Sequence, residues 1–158
     1  SSSCKLRWCP LCANSRRYHI SRQVKSWLEK TTKPRFITLT LQHSSAPLKN
    51  QVDALYKFFV NFRRTKEAKS HLIGGIWFFE IKYFPAKSAW HPHIHFLAEG
   101  TFWDKIAVSK LWKKITHTSF IIDIRAIKNT EKAAEYVAKY ASKPAAKKIP
   151  LLRDISPR

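Results

Sequence analysis

The stretch AWHPHIHFLAEG, residues 89 to 100, constrains this chain more than any other. Side chains of a β-strand alternate between two faces, so His93, His95 and Leu97 share one face and Ile94, Phe96 and Ala98 the other. An apolar strand at 92–98 with imidazoles on one side has to bury one face and do something particular with the second. The preceding IWFFEIKYF, opened by Gly74-Gly75, is a second long strand, with Ile76, Phe78, Glu80 and Lys82 on one face. A short loop joins the two.

RFITLTLQ at 35–42 and FIIDIRAI at 120–127 read as further strands, the former alternating Ile37, Leu39 and Leu41 against Phe36, Thr38 and Thr40. Helical spacing appears at 15–30 (Ile20, Val24, Trp27, Leu28) and after Pro47 (Leu48, Val52, Leu55, Phe59, Phe62). A third helix is predicted for 103–115, with Thr101 and Asp104 as a capping box, and a last one for NTEKAAEYVAKYASK. Strands joined by short loops or single helices predict an α+β domain with an antiparallel or mixed sheet. The chain divides into 1–30, a cysteine cluster with a basic helix; 31–144, the main domain; and 145–158, where periodicity is lost past Pro144 and a linker is expected.

Thirty Lys and Arg against ten Asp and Glu leave a net charge of +20, which calls for a polyanionic partner. The basic residues are spread through all segments and are not gathered on one amphipathic helix, which favours nucleic acid over a membrane surface. No run approaches the roughly 18 apolar residues of a spanning helix, and no signal peptide opens the chain, so a cytoplasmic protein with no membrane partner is expected. The absence of Met and the Ser-Ser-Ser start suggest a natural beginning further upstream. Arg16, Arg17, Arg22 and Lys25 on the first helix, Arg63 and Arg64 after the second, and Lys132 on the last are the cations expected to bind the nucleic acid.

Two constellations carry chemistry. His93 and His95 can grip one ion, and Glu80, flanked by Phe79 and Ile81, would cost several kcal/mol if charged, buried and unpaired. A divalent cation answers both: two imidazoles and a carboxylate make an open facial set suited to Mn²⁺ or Mg²⁺, with His91 as a further ligand or a group behind the ligands. The alternative is a solvated histidine face with Glu80 paired to Lys82. The second constellation is YVAKYASK. At 100° per residue Tyr136 and Tyr140 lie about 40° apart, on the side of Lys132, Lys139 and Lys143 and away from the apolar strip Ala134, Val137, Ala138 and Ala141. A phenol in a positive field loses its proton more easily, which suits a nucleophile. Separately, Cys4, Cys9 and Cys12 supply three ligands for a structural zinc, the fourth being His19 or a residue outside the sequence.

FITLTLQ, HPHIHFL and YVAKYASK resemble, in this order, the three motifs of the HUH endonucleases, which nick and rejoin single-stranded DNA. CKLRWCPLC resembles the cluster ahead of the nuclease domain in rolling-circle plasmid replication initiators and related transposases. The resemblance covers residues 4 to 143 and implies an HUH fold, related to the ferredoxin and RNA-recognition folds, with a central antiparallel sheet of about five strands and a small N-terminal zinc knuckle. It implies His93, His95 and Glu80 as ligands of Mn²⁺ or Mg²⁺ and the tyrosines as nucleophiles, with Lys139 and Lys143 holding phosphates. The implied product is a 5′-phosphotyrosine with a free 3′-hydroxyl, made on single-stranded or hairpin DNA at a replication origin, with host helicase and polymerase as partners. Tyr136 stands where many plasmid initiators carry Glu, as in the two-tyrosine members. A rolling-circle transposase and a non-catalytic knuckle with an RNA-recognition-like sheet are the alternatives; the latter would stack bases on exposed strand aromatics.

Overall fold

A computed structural model describes residue 4 and residues 9–87 and 89–141, without the side chains of Pro10, Tyr140 and Ala141. The linker expected at 145–158 and Lys143 lie outside the described residues. The elements are α1 (Pro10–Glu29), β1 (Pro34–Thr40), α2 (Leu48–Arg64), α3 (Lys66–His71), β2 (Leu72–Phe84), β3 (Ala89–Gly100), α4 (Lys105–Thr116), β4 (Ile122–Ala126) and α5 (Thr130–Ala141). The four described strands form one sheet in the order β2-β3-β1-β4, and every pairing is antiparallel. The architecture is the expected α+β.

The two-residue period sorts the sheet into two faces, and helices cover both. On one, Ile37, Leu39, Ile94 and Phe96 meet Leu55, Phe59 and Phe62 of α2 and Val108, Leu111 and Trp112 of α4. Trp112 is fully buried, and its indole N–H donates to the Thr40 carbonyl at 2.9 Å. On the other, Phe78 and Leu97 meet Ile20, Val24 and Leu28 of α1 and Ala134, Val137 and Ala138 of α5. Each core follows from an apolar stripe at helical spacing, the arrangement a sheet needs to bury both faces.

Boundaries move where local signals compete. The first helix starts at Pro10, a residue that owes no N–H to the first turn. The second ends at Arg64 because the Thr65 hydroxyl donates to the Phe62 carbonyl and accepts from Ala68 N–H, capping α3. Gly74-Gly75 does not open β2; the strand begins at Leu72, and the ladder shifts register between Leu72 and Gly74. There the strands approach so closely that a Cβ on Gly75 would lie 2.1 Å from the Leu97 carbonyl oxygen. The expected Thr101–Asp104 pair does not form a capping box. Asp104 caps α4 alone, accepting from Ala107 N–H at 3.0 Å, while the Thr101 hydroxyl bonds the His71 ring.

Pro92 lies inside β3, which is longer than the 92–98 expected. The β1–β3 ladder stops at Thr40↔His93, so from Pro92 outward β3 has a partner on one side only, where a residue lacking N–H is tolerated. Beyond that point Ile81–Phe84 and Ala89–Pro92 continue as a two-stranded arm closed by a 3-10 turn at Pro85–Lys87.

Candidate nuclease centre and cysteine cluster

Register assembles the histidine site. β3 lies between β2 and β1, with Glu80↔His93 and Phe78↔His95 on one side and Thr40↔His93 and Thr38↔His95 on the other. The Thr38 hydroxyl meets His95 Nδ1 at 3.0 Å, and the Thr40 hydroxyl meets His93 Nδ1 at 3.2 Å. Each threonine thus fixes one nitrogen of its imidazole and leaves Nε2 for other work. His95 Nε2 donates to the Glu80 carboxylate at 2.8 Å, with Lys82 Nζ 3.5 Å from the same oxygen. His93 Nε2 is buried and has no hydrogen-bond partner among the described residues.

That orphaned nitrogen is the observation against which a metal ligand role is tested, and the donor set fits. A ligating imidazole donates from its other nitrogen to a second group, as Nδ1 can to a threonine oxygen here. Among the described residues no donor reaches the lone pair on His93 Nε2, and a buried acceptor left so costs on the order of 1–3 kcal/mol. The three ligand atoms are not drawn together as tightly as the cysteines, the one set of three among the described residues whose ligand atoms all lie within 4.8 Å. Glu80 and His95 satisfy each other through their hydrogen bond, so an ion would have to replace it. His91 is turned away from this task at one nitrogen, its Nε2 donating to the Leu41 carbonyl at 3.0 Å.

Glu80 is 5 % exposed. Burial raises its pKa, but the hydrogen bond from His95 and the positive charges of His95, Lys82 and His93 outweigh it and bring the group down to about 2. His93 falls to about 4, first through burial and then through the neighbouring charges of His91, His95 and Lys82, with Glu80 opposing. His91 is lowered by burial, partly offset by its bond to Leu41, and further by His43, Lys82 and Lys87. Neutral His93 beside an ionised carboxylate is the protonation state a cation site requires.

The Tyr136 ring meets this site from α5. It stands edge-on to His95 at 5.8 Å and to Phe36 at 5.3 Å, while Phe36 stacks on His95 at 5.3 Å. Sequence reasoning put Tyr136 among lysines, off the apolar strip; its ring is half-buried and packs on the inner core instead. A long aromatic side chain at the border of the strip reaches back over the sheet. Tyr140 is one turn further along α5, and its side chain lies outside the described residues. Lys132 and Lys139 are exposed.

Sequence reasoning missed Thr38 and Thr40. Their alternation with Ile37 and Leu39 was visible, but not the register that sets them beside the histidines.

At the other end of α1, Cys4 and Cys12 bring their sulfurs to 3.1 Å, and with Cys9 they lie close enough to bind one metal ion. Cys9 is the residue before the first turn of α1, which holds no acidic residue. His19 does not join them. Seven residues past Cys12 on the same helix, it stands about 10 Å along the axis. There it lines a groove of about 530 Å³ with Arg22, Gln23, Ser26, Trp27 and Lys30.

The basic residues differ in what they can offer. Arg17, Arg22 and Arg64 are exposed and Arg16 is half-buried; Arg22 also lies over the Tyr18 ring. Lys25 pairs with Glu131 at 3.3 Å, tying α1 to α5. Arg63 is committed to the protein: its guanidinium covers the Phe59 ring at 5.2 Å, and burial lowers its pKa. No helix among the described residues is long and apolar enough to cross a membrane.

Comparison with known proteins gives the family. The chain is 28% identical over 144 residues to a protein named Protein rep of a Bacillus species, covering 82% of this chain and 47% of the relative. It is 27% identical over 169 residues to Protein rep of Lactiplantibacillus plantarum, covering 90% and 53%. Against Protein rep of Staphylococcus aureus it is 28% identical over 161 residues, covering 90% and 70%. The chain therefore spans about half the length of the first two of these relatives. No solved structure matches it. The family described as Replication protein matches residues 1–155, and the chain belongs to that family.

Proposed function

We propose that this chain is the nicking domain of a rolling-circle replication initiator of the HUH type, cutting single-stranded origin DNA through a tyrosine. The observation that carries the reading is the buried His93 Nε2, unpartnered among the described residues, beside the His95–Glu80 pair and beneath the helix that bears both tyrosines. A knuckle with an RNA-recognition-like sheet has no need of that group, and such a module stacks bases on an open sheet face, whereas helices cover both faces here.

His93, His95 and Glu80 would hold a Mn²⁺ or Mg²⁺ ion, which when bound polarises the scissile phosphate and withdraws charge from phosphorus. The rest belongs to the chain. Thr38 and Thr40 hold the imidazoles in orientation. Phe36, stacked on His95, and Phe78, tilted against it, keep water from the imidazole. The phenol of Tyr140 gives up its proton and its oxygen forms a bond to phosphorus; the bond from phosphorus to the 3′-oxygen breaks, and that oxygen takes a proton. The products are a 5′-phosphotyrosine and a 3′-hydroxyl that a host polymerase can extend after a helicase opens the duplex. The phosphodiester energy is kept in the covalent link, so resealing needs no ATP. Lys139 and Lys143 hold phosphates beside the phenol and ease its deprotonation. Tyr136 serves the second transfer that ends the cycle, and cytoplasmic DNA is the place of action. The cysteine cluster holds a structural zinc.

The test is incubation with single-stranded oligonucleotides from the native origin and Mn²⁺, resolved on a denaturing gel. Replacing His93 and His95 together by Ala should abolish the protein–DNA adduct and keep most of the binding, which rests on many phosphate contacts. Undiminished cleavage by that double variant would remove the ligand assignment.

A further inference from the structure

The arm formed by Ile81–Phe84 and Ala89–Pro92 projects beyond the four-stranded part of the sheet, and its Tyr83, Phe84 and Trp90 rings are exposed. Its two faces differ. Lys82, Phe84 and His91 share the face of the histidine site, while Tyr83 and Trp90 pair on the opposite face with ring centroids 4.7 Å apart. His43, exposed in the loop after β1, joins the first group: its ring lies 5.9 Å from Phe84 and 4.4 Å from His91.

These rings continue into the candidate centre without a break. Phe84 is 5.8 Å from His91, His91 is 4.5 Å from His93, and His93 is 6.1 Å from His95. From His95 to His91 the strand advances about 13 Å, a span of a few nucleotides. The surroundings are cationic: Lys82 and Lys87 are exposed, and neither 81–92 nor 41–47 contains a carboxylate. Phe84 is 40 % exposed, in contrast to Phe78 at 5 % further down the same strand face. An exposed ring at the open end of a row of rings, in a positive field, suits a planar partner on an anionic backbone.

We propose that Phe84 and His43 form a stacking platform for unpaired bases of the DNA strand adjoining the scissile phosphate, with Lys87 holding its backbone. This rests on the reading of the histidine site as a single-stranded DNA nuclease centre. Stacking is indifferent to base identity, so the platform orients the strand without reading its sequence. Exposed rings on an arm that extends past the β1–β3 ladder are also where a sheet covered by helices on both faces can still present aromatics to a strand.

Binding of a short fluorescein-labelled oligothymidylate by the full chain, followed by anisotropy, tests this without any cleavage. Phe84→Ala should weaken binding about tenfold, whereas Tyr83→Ala, on the opposite face of the same arm, should change it by less than about twofold. The tenfold loss should vanish with an abasic oligomer of equal length, since only its backbone remains to be held. Lys87→Ala should lower the salt dependence of binding by about one ion, for both oligomers. Equal losses for Phe84→Ala and Tyr83→Ala, or an equal loss on the abasic strand, would overturn the platform, as would unchanged affinity of Phe84→Ala. If Phe84→Ala does not fold, His43→Ala decides: it sits in a loop, and unchanged thymidylate binding by it refutes the proposal. The two readings fail separately. Face-selective binding without adduct formation would leave the platform and remove the nuclease chemistry; adduct formation with face-indifferent binding would do the reverse.

Discussion

Acidifying the metal-free protein should destabilise it well before its carboxylates titrate, and His93 is the reason. Its folded pKa is about 4 against an ordinary 6.5, so between those values the unfolded chain binds a proton that the folded chain refuses. Stability contributed by a group with a depressed pKa is complete above the unfolded value and is lost as pH falls toward the folded one. At pH 4.5 an unfolded imidazole is about 99% protonated and the folded one about a quarter, which corresponds to a loss of about 2.5 kcal/mol relative to pH 8. Glu80 has the same sign in a lower window, from 4.5 down to about 2, and adds only a few tenths of a kcal/mol by pH 4.5.

Urea unfolding at pH 8 and pH 4.5, in the presence of a chelator, measures this. His93→Gln removes the titrating group, keeps a polar side chain, and should flatten the difference between the two pH values by about 2 kcal/mol. Mn²⁺ at a hundredfold excess over its dissociation constant should add about 2.7 kcal/mol at pH 8 and almost nothing at pH 4.5, where protons compete for the ligands. If His93→Gln and the parent lose the same stability on acidification, the buried orphaned imidazole is not what the pH change acts on, and the argument fails.

Metal analysis of carefully reduced protein should find about one zinc per chain, retained when His93 and His95 are both replaced by Ala, because the cysteine cluster shares no ligand with them; a protein without zinc contradicts the cluster's role. Trp112→Phe removes the indole donor to Thr40 and leaves a buried carbonyl unpaired, which should cost about 1–3 kcal/mol in urea unfolding. A loss under about 0.5 kcal/mol would mean that another donor replaces it.

Much of this architecture could be read from periodicity. The alternation along β3 predicts which histidines share a face, and the stripe Leu55, Phe59 and Phe62 predicts the helix that buries the opposite one. Register could not be read that way. It depends on which strands become neighbours, so Thr38 and Thr40 emerge as partners of the imidazoles only once β1 lies beside β3. Short-range spacing also misled at His19, which a count of residues places near Cys12 but a straight helix carries two turns away. Arg63 looks like one more cation in a basic run; only packing shows its guanidinium lying over Phe59. Gly75 read as the start of a strand because glycine so often marks a boundary, whereas here it permits two strands to touch in mid-ladder.

The central claim is covalent chemistry at a tyrosine of α5, and mass spectrometry of the protein after reaction with origin-derived single-stranded DNA tests it most directly. With Mn²⁺ present, a protease digest should contain the peptide of YVAKYASK carrying a nucleotide through a 5′-phosphate on Tyr140. That species should be absent with chelator and in Tyr140→Phe, and present in Tyr136→Phe, which removes a hydroxyl without leaving a cavity. A nucleotide found on Tyr136 alone would reverse the two roles. Cleaved DNA with no protein-linked nucleotide, its ends made by water, would contradict the account.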